Sequence, residues 1–168
     1  FILAFMLIFF PIIILIVIAL LPWIWLKSNV WIWSLMGVEM ILFFIYAHPL
    51  TRLKEKPFWG PICDALYGHA VPVIMACLTY QEYLSEIPYS QIPFFITLFA
   101  WQFAKGLRNI FLHQLEDYQN DIVAQLSTHT TIKGESSIIN LIYRALLPLE
   151  ILSCLSFLLI VIQEMPYW

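Results

Sequence analysis

His113-Gln-Leu-Glu-Asp117-Tyr-Gln-Asn-Asp121 follows directly on a hydrophobic segment, in a chain of 168 residues that is 62% hydrophobic and only 11% charged. That setting places a carboxylate pair at a membrane surface. In a helix, side chains four residues apart lie on one face, so Asp117 and Asp121 can share a divalent cation. Mg²⁺ is normally held by one or two carboxylates together with phosphate oxygens, so the pair points to a phosphorylated substrate.

Outward from this stretch, a mean hydropathy of +0.85 and a net charge of -3 suit an integral membrane protein rather than a soluble domain. The expected fold is all-α, a multi-helix transmembrane bundle forming a single domain over residues 1–168. A spanning helix needs about 20 apolar residues, and about five such stretches can be drawn, near 2–26, 30–48, 61–80, 91–112 and 137–162. Pro72 and Pro93 are expected to kink or start helices. The chain begins at Phe1 with no basic stretch before the apolar run, so 2–26 is not read as a signal peptide, and a piece of a longer protein is expected. Cys63, Cys77 and Cys154 fall in apolar segments without Cys-x-x-Cys spacing, which suggests buried thiols, not a zinc site or disulfide framework. Eight basic against eleven acidic residues leave no cationic surface for nucleic acid.

Basic residues in short loops favour the cytoplasmic side. Arg52, Lys54 and Lys56 lie between the second and third stretches, and Lys105, Arg108, Lys133 and Arg144 flank the connection between the fourth and fifth. The 81–90 connection carries Glu82 and Glu86 without Lys or Arg, as the opposite side requires. Trp23, Trp25, Trp31 and Trp33 surround Lys27-Ser28-Asn29, and Tyr80, Tyr83, Tyr89, Tyr167 and Trp168 mark the other outer ends as an aromatic belt. Lys27 alone is out of place. The expected localisation is therefore multi-pass in the cell (inner) membrane, with the aspartate loop cytoplasmic. The basic loop 49–56 and the acidic loop 113–125 then open on one face, where cations and metal-binding carboxylates can meet around one anion.

Steps of four residues link Asn109, His113, Asp117, Asp121 and Gln125 into a polar stripe, which faces a polar cavity more easily than lipid. The plainer alternative is a solvated loop helix whose acids meet only water. Within the apolar stretches, Asp64 stands about one turn before Tyr67. It is either a functional carboxylate or a headgroup-level acid paired with Lys54 or Lys56. Glu39 and Glu150 are expected to bond to neighbouring helices, and His69 to be a packing residue.

Asp117-x-x-x-Asp121, followed by Thr128, resembles the second aspartate-rich motif of the UbiA superfamily of intramembrane prenyltransferases. Tyr46-Ala-His-Pro49-Leu-Thr-Arg52-Leu-Lys54 likewise resembles that family's Tyr-Ser-x-Pro-Pro-x-Arg-Leu-Lys loop. The resemblance implies a nine-helix fold of which this chain covers the third helix through the seventh, with a first aspartate motif upstream of Phe1. The isolated piece would then be inactive. Two departures stand out. The family's Gly is Gln125, which alters the demands of the turn there, and the loop's Ser and second Pro are Ala47 and Leu50.

By this resemblance, Asp117 and Asp121 hold Mg²⁺ against the diphosphate of an isoprenoid donor. Tyr46, Arg52, Lys54, Asn109 and His113 bind the diphosphate, and the prenyl group passes to a small-molecule acceptor, aromatic or lipid, within the membrane. Loss of an allylic diphosphate leaves a carbocation, and its leaving group needs electrostatic stabilisation. Two rival readings remain: a non-catalytic UbiA-like scaffold or lipid-binding subunit, and a cation-coupled transporter segment. A transporter favours acids near the bilayer midplane between broken helices, whereas this pair follows the end of a span.

Overall fold

The computed structural model describes residues 14–15, 17–18, 20–21, 23–24, 30–84 and 92–164. The expected first span lies largely outside them. So do Lys27, Glu86, Tyr89, Tyr167 and Trp168, and with them much of the outer-face aromatic assignment.

Among the described residues, every regular element is helical and no strand occurs. Helix α1 (Val30–Ala47) leads through a 3₁₀ turn (Leu53–Glu55) to α2 (Trp59–Ala65). A π-helical segment (Leu66–Ala70) joins α2 to α3 (Val71–Leu84). Then come α4 (Ile92–Glu116), α5 (Tyr118–Val123), α6 (His129–Lys133) and α7 (Glu135–Leu141). A second π-helical segment (Ile142–Leu146) continues into α8 (Leu147–Glu164).

Three continuous helical stretches are long and apolar enough to cross a membrane: Val30–Ala47, Trp59–Tyr80 and Glu135–Gln163. Their outward faces are what lipid requires. Phe43 and Phe44 on α1, and Leu152, Leu155, Leu159 and Ile162 on α8, are exposed. A row of large apolar side chains facing outward marks a surface that water does not bathe. The expected 91–112 span differs. Helix α4 is 25 residues long, about 37 Å at 1.5 Å per residue, but it is not among the three apolar stretches. Gln102, Lys105, Arg108, Asn109, His113 and Gln114 lower its apolar content. It is instead the helix the others gather round, packing on α2, α8 and both π-helical segments.

Small residues and one ion pair hold it there. A methyl group on Gly106 would come within 2.8 Å of the Ala65 Cα and 2.9 Å of the His69 ring, so α4 and α2 approach almost backbone to backbone. On its other side Arg108 grips Glu150 of α8 with both arms, Nη2 donating to Oε1 at 3.1 Å and Nε to Oε2. Glu150 thus bonds across helices as expected. Arg108 is part of the bundle and not a loop charge. Phe111, Ile138, Ile142 and Leu146 form a buried cluster where α4 meets α7 and the second π-helical segment.

Both π-helical segments end two residues before a proline, Pro72 in one case and Pro148 in the other. Proline lacks the N–H for the i−4 bond, and its ring crowds the i−4 carbonyl. The wider turn relieves that clash. Its closing bonds are the Val71 N–H to the Leu66 carbonyl and the Leu147 N–H to the Ile142 carbonyl. Pro93, by contrast, sits in the first turn of α4, where no intrahelical partner is lost.

Candidate functional site

Helix α4 ends at Glu116, and the chain passes through Asp117 with φ −88° and ψ 1° into α5. The backbone ladder barely breaks: Asp117 N–H donates to the His113 carbonyl at 3.0 Å, and Asp121 N–H to the Asp117 carbonyl at 2.9 Å. Asp117 occupies the N-cap of α5, yet its side chain makes no capping hydrogen bond. Its carboxylate meets His113 instead, with Nε2 3.5 Å from Oδ2. The two aspartates are half-buried and His113 is exposed. The stripe from His113 to Asp121 is therefore helical and continuous.

Helix α5 closes with a Schellman motif. Leu126 N–H reaches the Asp121 carbonyl at 2.9 Å, and Gln125 N–H reaches that of Ile122 at 3.1 Å. The residue between helix and exit must be left-handed, and Gln125 has φ 56°. The turn is therefore formed without the glycine that the resemblance leads one to expect there. Thr128 then caps α6, its hydroxyl accepting from Thr131 N–H at 3.3 Å. Buried Thr130 donates from both N–H and hydroxyl to Gln114 Oε1, at 3.3 and 3.2 Å. These bonds fasten the segment after α5 back onto α4.

The basic loop is folded just as locally. The Thr51 hydroxyl donates to the Ile45 carbonyl, and Arg52 N–H to that of His48 at 2.8 Å. Arg52 is left-handed, with φ 42° and ψ 46°, and its Nε lies 3.2 Å from Glu55 Oε1. The 3₁₀ turn packs so closely on α2 that a Cβ on Gly60 would stand 2.7 Å from the Leu53 carbonyl oxygen.

The two loops meet. The His129 ring lies with Nδ1 2.8 Å from the Pro57 carbonyl oxygen, joining α6 to the end of the basic loop. Beside this junction a cavity of about 280 Å³ is lined by Leu50, Thr51, Arg52, Glu55 and Lys56 on one side and Gln125, Leu126 and Ser127 on the other. The shared face expected for loops 49–56 and 113–125 is thus present in the contact between Arg52 and Lys56 and the turn that ends α5.

Of the expected diphosphate ligands, Arg52 lines the cavity, but Lys54 does not; Lys56 takes that place. The 3₁₀ turn explains the exchange, since it turns the side chains of 52 and 56 toward the same opening. Tyr46 lies elsewhere, its ring 5.2 Å from that of Tyr67. Asn109 is half-buried on α4, in the helix that carries His113. Asp64 is not paired with Lys54 or Lys56; the Tyr67 hydroxyl donates to its Oδ1 at 3.1 Å. Lys56, Thr51 and Ser127 could not be picked out from spacing, because the turn geometry that gathers them involves residues some seventy positions apart.

Among the described residues, no group of three or more His, Cys, Asp and Glu side chains is arranged to hold a metal ion. A Mg²⁺ site completed by phosphate oxygens needs only one or two carboxylates. Asp117, uncapped and partly exposed, together with Asp121 one turn on, provides that donor set. Compared with protein-family models, with curated proteins and with solved structures, the chain gives no match.

Proposed function

We propose that this chain belongs to a UbiA-like prenyltransferase, with about five spans of a nine-helix bundle, that transfers a prenyl group from an isoprenoid diphosphate to an acceptor within the membrane. In this reading the protein is multi-pass, with the cavity and the aspartate pair on the cytoplasmic side of the inner membrane. The observation that carries it is the meeting of Arg52 and Lys56 with the turn directly after Asp121 around one cavity. Cations and carboxylates are both needed there: the carboxylates to hold a divalent ion, the cations to neutralise phosphate oxygens that the ion does not reach.

Asp117 and Asp121 would hold Mg²⁺, which would supply charge to the departing diphosphate. Arg52 and Lys56 would bind its remaining oxygens, and His113 would orient Asp117. The C–O bond of the allylic donor breaks with both electrons leaving on diphosphate. The acceptor's electron pair then closes the new bond, and its proton is lost to water.

The test is Mg²⁺-dependent release of diphosphate from a panel of prenyl diphosphates by the membrane-reconstituted full-length protein, wild type against Asp117→Ala. Metal-dependent release that the variant loses supports the reading. No release from any donor by a folded protein would shift the weight to a scaffold or cation-transport role.

A further inference from the structure

Asp64 lies five residues into α2, about 8 Å along the helix axis from Trp59, inside a stretch apolar enough to span a membrane. Among the described residues, no Lys, Arg or His nitrogen comes within ion-pair distance of it. A carboxylate in such a segment is unfavourable unless something compensates its charge. Its neighbours are phenols and rings. Tyr67 donates to Oδ1 at 3.1 Å, and the Tyr46 phenol interacts with the same carboxyl. The Tyr46 and Phe43 rings lie 5.2 and 5.6 Å from the Tyr67 ring, the latter edge to face. Tyr67 stands in the π-helical segment, and such wide turns recur at functional sites.

We propose that Asp64, with the rings of Tyr46, Tyr67 and Phe43, is a binding site for an apolar organic cation, the positive charge that develops on the prenyl donor once its diphosphate leaves. This rests on the prenyl-transfer reading. The chemistry is that of an aromatic cage with a carboxylate: ring faces attract a diffuse cation that water solvates poorly, and the acid supplies the countercharge the protein withholds. Tyr46 connects the cluster to the basic loop, because the Tyr46–Arg52 stretch begins at the cage and ends at the cavity. A donor whose diphosphate occupied the cavity would thus extend its chain into the membrane past this cluster. A choline headgroup offers the same cationic chemistry, so the test separates the two.

The probes are geranyl-, farnesyl- and geranylgeranyl-dimethylammonium ions against the matching neutral alcohols. Binding is measured to the full-length protein in nanodiscs free of choline lipid, with and without Mg²⁺ and inorganic diphosphate. Wild type should favour at least one ammonium ion over its alcohol by roughly tenfold, the range of a desolvated cation–π contact. Asp64→Asn should abolish that preference, Asp64→Glu should keep part of it, and Tyr67→Phe should keep more than Tyr67→Leu. Tightening by Mg²⁺ and diphosphate supports the donor as the source of the cation. Displacement by phosphocholine without such tightening makes the cation a lipid headgroup and overturns the donor assignment. A preference unchanged in both Asp64→Asn and Tyr67→Leu, or absent in wild type for every probe, overturns the site. If wild type shows the preference but releases no diphosphate from any donor, the prenyl-transfer reading falls and the cation site survives. Should Asp64→Asn fail to insert, the Tyr67→Phe and Tyr67→Leu pair decides.

Discussion

Arg52 and Gln125 both hold left-handed backbone, and both line the cavity where the basic loop meets the turn after Asp121. They are the two non-glycine residues with positive φ among the described residues. A side chain in that conformation costs about 1 kcal/mol or more, and such residues collect at ligand sites, where the surrounding structure over-determines them.

Gln125→Gly should therefore stabilise the protein by about 0.5–1 kcal/mol, the strain relieved less the added freedom of the unfolded chain. Gln125→Val should destabilise it by about 1 kcal/mol or more, since a β-branched side chain tolerates the left-handed region least. Thermal unfolding in one detergent compares all three chains.

Arg52→Gly separates conformation from charge. Stability should hold or rise while binding of inorganic diphosphate weakens, because a guanidinium–phosphate contact is lost and the backbone is eased. Equal binding by Arg52→Gly and wild type would remove Arg52 from the site. Lys56→Ala should likewise weaken binding more than Lys54→Ala, as Lys56 lines the cavity and Lys54 does not.

Asp117→Ala and Asp121→Ala should each abolish Mg²⁺-dependent diphosphate release and leave the unfolding temperature near that of wild type. Asp117 makes no capping hydrogen bond, so its removal takes away little but a ligand. Release unaffected in both variants would sink the metal assignment.

Gly106→Ala should destabilise the bundle by about 1–3 kcal/mol, because the new methyl would stand 2.8 Å from backbone that has no room to yield. Glu150→Ala should destabilise by about 3 kcal/mol by leaving Arg108 buried without its partner. The double variant Arg108→Met, Glu150→Met should recover most of that loss, since two apolar side chains replace a pair that was expensive to desolvate.

The apolar stretches at 30–48, 61–80 and 137–162 were legible because spanning length and composition leave their mark on every residue. Helix α4 was legible as a helix but not as the centre of the bundle. Its polar residues read as the frayed end of a span, and the reason for them, Glu150 opposite Arg108 and Thr130 opposite Gln114, lies on other elements. In the candidate site, the shared face of the two loops was legible from charge and order along the chain. Lys56 in place of Lys54 was not, for it depends on a 3₁₀ turn seated against Gly60. Asp64 was recognisable as an anomaly, but its phenolic partners follow from how α1 lies on α2, which no local pattern records.

The wide turns before Pro72 and Pro148 each take up about one residue more than an α-helix would, and one residue is about 100° of rotation. The two ends of each long helix are therefore phased separately. The lower half of one can settle against α4 while the upper half presents a different set of side chains to whatever surrounds it. A single-residue deletion within 66–70 or 142–146 would rephase the two halves without shortening the span enough to matter to the bilayer.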